Sequence, residues 1–154
     1  MKPTVYPFAP KSTAFLERGQ FWAIPLRDGS FGAGCVLGFH YPPANFPNGT
    51  RSSRVFIAGV LGWHESEPPT ANALFGKIVV EHAFAHIKVV TAAGGLILGK
   101  AHLKLSGLPD AAPALALHAW GFRVPEILAH KFAGMPSNPA NNAFKGRRAQ
   151  RARP

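Results

Sequence analysis

The side chains with the richest chemistry in this 154-residue chain are seven histidines, one cysteine and seven carboxylates, and their spacing narrows what each can do. His82 and His86 stand four positions apart. On a helix that spacing would bring both imidazoles to one face, where they could share a metal ion. Along a strand it separates them by roughly 13 Å, too far for one ion. The surrounding segment reads as extended and Glu81 precedes His82, so no His-Glu-x-x-His order exists and no metal site is expected. Cys35 lies among Ala33, Val36 and Leu37, where a thiol behaves as a small buried hydrophobe, and a single cysteine leaves no internal disulfide to form. There is no Gly-x-Ser-x-Gly elbow and no phosphate loop ending in Gly-Lys-Ser/Thr, and Gly32-Ala33-Gly34 lacks the later glycine of a dinucleotide fingerprint. The carboxylates are too scattered to suggest a paired-acid hydrolase. No catalytic, cofactor-binding or metal-ligating residue is assigned, and the chain reads as a binding protein.

Residues suited to binding are easier to find. Trp63 with Arg54, and Trp120 with Phe122 and Arg123, pair aromatic faces with cations, as a nucleic-acid surface would, although each Trp also lies in an apolar segment of the kind that builds a core. The chain carries 17 Lys and Arg against 7 Asp and Glu, for a net charge of +10. Five of those cations, Lys145, Arg147, Arg148, Arg151 and Arg153, fall in the last ten residues, which leaves +5 on the body. Residues 135–154 therefore read as a disordered basic tail after Met135-Pro136-Ser137-Asn138-Pro139, capable at most of weak, sequence-blind nucleic-acid binding.

The elements that must position these side chains are mainly strands. Hydrophobic residues at 47% can build a core, while 16 Gly and 15 Pro disfavour a helical bundle. The longest apolar runs, Val55–Trp63 and Val89–Gly99, are too short to span a membrane, and the Pro-rich start has no apolar signal core, so a cytoplasmic protein is expected. Gln20–Leu26 and Phe31–Phe39 read as a hairpin about Asp28-Gly29. On the return strand Gly32, Gly34 and Gly38 share a face with Val36, which implies close approach of other backbone or a bent strand, and Pro25 implies an edge or a bulge. A third strand is expected over Arg54–Trp63, a helical turn at Ala71–Gly76, and one or two strands over Lys77–Thr91. Ala93-Gly94-Gly95 would then turn that segment back into Leu96–Leu105 as a second hairpin. A helix should open at Pro125, with Glu126 near its start, His130 and Lys131 in its last turn and Gly134 as its cap. The fold class is mostly β (α+β): a small antiparallel sheet or partly open barrel with a short C-terminal helix. Residues 1–18 form an N-terminal lead, 19–134 a single β-rich domain and 135–154 the tail.

The segment Gly19–Leu37, with Ala23-Ile24-Pro25-Leu26, the Asp28-Gly29 turn and the Gly34-Cys35-Val36-Leu37 return, resembles the opening hairpin of immunity protein family 26 from bacterial polymorphic toxin systems. The likeness extends more loosely through Val55–Gly59 and Ile87–Gly99, and Gln20 stands where that family carries an acid. The resemblance implies a mostly β fold that neutralises a cognate toxin domain by stoichiometric binding, without catalysis or cofactor. The alternative is a small basic β-barrel that binds nucleic acid. A preformed inhibitory surface needs a few aromatic or charged anchors at strand ends and turns. Arg27 and Asp28 at the first turn, Trp63, His64 and Glu65 at the end of the third strand, and Trp120 and Arg123 before the helix are the partner-binding candidates.

Overall fold

Strands β1 (Gln20–Pro25) and β2 (Phe31–Phe39) form the expected antiparallel hairpin in the computed structural model, which describes residues 4–39, 52–111, 119–121 and 123–133. Gly29 takes a positive φ of 86° at the turn, and the Leu26 and Gly29 amides donate to the Ser30 and Leu26 carbonyls across it. β3 (Val55–Glu65) pairs antiparallel with β2 and runs two residues past its expected end. A short turn of helix, α1 (Ala71–Leu74), follows; the Thr70 hydroxyl caps it by accepting from the Ala73 amide at 3.1 Å. β4 (Val79–His86) then pairs antiparallel with β3.

From here the chain departs from the sequence reading. The end of the segment expected as strand becomes α2 (Lys88–Thr91), which buries Val89 and Val90 against the core. Gly94-Gly95 consequently does not close a second hairpin: β5 (Gly99–Lys100) crosses to the far edge of the sheet and pairs antiparallel with β1 at Gln20 and Phe21. Pro25, which has no amide to donate, lies beyond that short pairing. The last strand, β6 (Ala119–Trp120), is parallel to β4. The result is one six-stranded sheet in the order β5-β1-β2-β3-β4-β6, mixed rather than purely antiparallel, and open rather than closed into a barrel. The C-terminal helix α3 (Val124–Phe132) has Pro125 in its first turn, as expected. The Gly134 cap, the tail at 135–154 and the loop after Phe39 through residue 51 lie outside the described residues.

Both faces of the sheet are covered, which explains why β2 and β3 are apolar almost throughout. One face carries Trp22, Ile24, Val36, Phe56 and Ala58 beneath Ala129 of α3, joined by Leu16 from the N-terminal lead. The other carries Phe21, Ala33, Cys35, Leu37, Ile57 and Leu61 beneath Leu74 and Ala101. The glycines of β2 do admit close neighbours: a Cβ at Gly32 would come within 2.6 Å of the Ala129 Cβ, and one at Gly38 would collide with the Asp110 backbone. A register shift between Val36 and Gly38 breaks the alternation, so Phe39 packs with the Trp22 cluster instead of following Cys35 and Leu37.

Arg18 ties this sheet to the chain beyond β5. Its guanidinium donates to the carbonyls of Leu37 (2.6 Å), Leu105 (2.8 Å), Pro109 (3.2 Å) and Leu108 (3.3 Å). A fixed fork of donors can hold that many carbonyls at once, whereas a lysine ammonium could not.

Candidate functional site

The rim at the β1–β2 turn gathers four of the sequence candidates. β2 and β3 are in register there, Phe31 opposite Glu65 and Gly32 opposite His64, so the end of β3 lies beside Arg27 and Asp28. Asp28 accepts from the Ser30 amide at 2.9 Å and from the Ser30 hydroxyl, and the same hydroxyl lies 2.6 Å from His64 Nε2. Bonding to Ser30, chiefly through its hydroxyl and then its amide, holds the Asp28 carboxyl below the usual aspartate range, with the nearby His64 charge adding to the effect.

The direction of these bonds settles what the trio can do. The hydroxyl has one proton, and it goes to the carboxylate, which can only accept. His64 must then supply the second proton from Nε2, leaving that nitrogen no lone pair with which to activate Ser30. The order is carboxylate–hydroxyl–imidazole, not the carboxylate–imidazole–hydroxyl of a nucleophilic triad. These bonds order the turn and hold it against the end of β3. From the other side, the Arg27 amide donates to His130 Nε2 at 3.3 Å, so the last turn of α3 completes the rim.

Trp63, Trp120 and Arg123 stand apart from this group. Trp63, half-buried, packs with the cluster under Leu74, on the face away from His64. Trp120 pairs with Ala85 near the other end of β4 and packs against the Trp22 cluster. Arg123 is exposed and precedes α3. Ser30 and His130 were missed as rim residues. Ser30 could have been found, because Asp-Gly-Ser is a sequence in which an Asp side chain bonds the amide two residues on. His130 carried no signal beyond its fit to a helix end.

Among the described residues, other groups contribute no second centre. Cys35 is fully buried, and burial pushes its thiol up to about 12, so it has no thiolate to offer at neutral pH. His82 and His86 lie on extended β4, and among the described residues no three His, Cys, Asp or Glu side chains are grouped to hold a metal ion. A cleft of about 500 Å³ between β5 and the 67–71 segment is lined by Phe21, Pro68, Pro69, Ala71 and Leu98, with Glu67 at its edge. Its one hydroxyl, that of Thr70, is committed to capping α1. Among the described residues no helix is long and apolar enough to cross a membrane. No protein-family model, curated protein or solved structure matches the chain.

Proposed function

We propose that this chain is a non-catalytic binding protein of the immunity type, and that it holds a cognate bacterial toxin domain against the rim formed by Arg27, Asp28, His64 and Glu65. The observation that carries this reading is the convergence of residues some 35 positions apart onto one rim whose turn is already ordered by the Asp28–Ser30–His64 bonds. A surface fixed before binding avoids the cost of ordering loops in the complex. Arg27, Asp28 and Glu65 are exposed there, and charged side chains set which partner docks and in what register. The opening hairpin adds the likeness to immunity protein family 26.

The test is coexpression with the toxin domain encoded beside this chain's gene. The two should purify together, the toxin should be neutralised, and Arg27→Ala combined with Glu65→Ala should weaken the complex by roughly tenfold or more without lowering the melting temperature. No complex at micromolar concentrations, or a complex indifferent to the rim substitutions, would overturn the reading.

A further inference from the structure

A second exposed surface lies on the stretch that leaves β5, and nothing in the rim reading uses it. From Gly99 to Lys104 the chain alternates strictly: Gly99 and Ala101 are buried and Leu103 is half-buried, while Lys100, His102 and Lys104 are exposed. Alternation of this kind puts the three polar side chains on one side of an extended segment, roughly 7 Å apart. The segment is held in place along its length. The Gly76 amide donates to the His102 carbonyl at 2.7 Å, the Lys104 amide to the Lys77 carbonyl at 3.1 Å, and Ile78 is bridged to Lys104. The same pairing sets Phe75 beside His102, with ring centroids 6.3 Å apart in an edge-on arrangement. Phe75 is 70% exposed, unusual for so large an apolar ring, and Ile78 is 52% exposed.

We propose that this ridge of Lys100, His102 and Lys104, flanked by Phe75, binds single-stranded nucleic acid. Lys100 and Lys104, roughly 13 Å apart on the extended segment, can meet phosphates two nucleotides apart on an unpaired strand, and the exposed ring of Phe75 offers an unpaired base a surface on which to stack. An acidic protein segment would also satisfy the lysines, but a single strand brings a flat base to the ring at every nucleotide, which a carboxylate-rich segment does not. The only ion pair in the neighbourhood among the described residues joins Lys100 to Glu17 at 3.8 Å, with both side chains half exposed, and a pair that open to water yields readily to a phosphate. The surface is distinct from the rim, so its failure or success leaves the toxin reading where it stands.

The experiment is fluorescence anisotropy on the full chain with a labelled oligothymidylate of about 15 nucleotides, its duplex counterpart and a polyglutamate peptide as competitor, across a series of salt concentrations. Single strand should bind more tightly than duplex. Phe75→Ala should weaken single-strand binding by roughly 5- to 100-fold at an unchanged salt slope. Lys100→Ala with Lys104→Ala should lower that slope by roughly 1.4, as two lost phosphate contacts require. The basic C-terminal tail would contribute salt-dependent binding of its own, but not a dependence on Phe75. Binding that ignores all three substitutions, or that depends on the lysines but not on Phe75, or that polyglutamate displaces as effectively as unlabelled oligonucleotide, would overturn the proposal. The second outcome would mean phosphate contact without stacking, and the third would point to an acidic protein partner instead.

Discussion

Trp22 and Gly34 are register partners on adjacent strands, and the Trp22 indole occupies the space that a side chain at position 34 would need. The indole is completely buried, edge-on to Phe56 with ring centroids 6.0 Å apart, and so has little room to retreat. Gly34→Ala should therefore destabilise the fold by about 1–3 kcal/mol, the usual cost of overpacking a filled core. Urea denaturation should show a lower midpoint at an unchanged slope. A midpoint equal to that of the parent chain would mean that the indole can swing away, contrary to the packing described.

Gln20 is as buried as Trp22, but polar, and its amide is used from both ends. Its carbonyl oxygen accepts from the Glu17 amide at 2.8 Å, while its nitrogen donates to the Tyr6 hydroxyl at 3.1 Å and to the Phe15 carbonyl at 3.4 Å. A carboxylate can only accept, so at this position it would face the Phe15 carbonyl with no proton between them. Gln20→Glu should cost about 1–3 kcal/mol at neutral pH. The loss should shrink as the pH falls and the buried carboxyl takes up a proton, which denaturant midpoints at pH 7 and pH 4 would reveal. Equal losses at both values would mean that the charge, and hence the missing donor, is not the cause.

Local signals carried the first half of the chain well. Asp28-Gly29 between alternating apolar strands sufficed for the β1–β2 hairpin, and Pro125 with Glu126 sufficed to place the start of α3. The errors came where distant packing outweighed local preference. Val89 and Val90 are strand formers, yet they lie in α2 because the core there takes them as one side of a helical turn. Once that turn forms, Gly94-Gly95 no longer faces β4, and β5 finds its partner in β1, nearly 80 residues earlier, a pairing with no trace in local sequence. The rim was legible as two strand ends. Their meeting depended on the registers of β2 and β3, and the arrival of His130 depended on how α3 crosses the sheet.

The Asp28 carboxyl offers a direct check on the rim. Its folded-state pKa is lowered from 3.8 by the Ser30 hydroxyl first and the Ser30 amide second. A depressed acid contributes stability that is fully present above its unfolded value and is lost as pH falls through the folded one, so the turn should hold above about pH 4 and loosen below it. An NMR titration of the Asp28 side-chain carboxyl carbon should give a midpoint below 3.8 in the folded protein. Ser30→Ala removes the hydroxyl but keeps the amide, so it should move that midpoint up toward the unperturbed value without abolishing the hairpin. It should also free His64, whose imidazole resonances should then shift, since Nε2 would have lost its oxygen acceptor. If instead Asp28 titrates at the same pH with and without the Ser30 hydroxyl, the hydrogen-bonded trio does not order this turn, and the preformed rim on which the binding reading rests loses its basis.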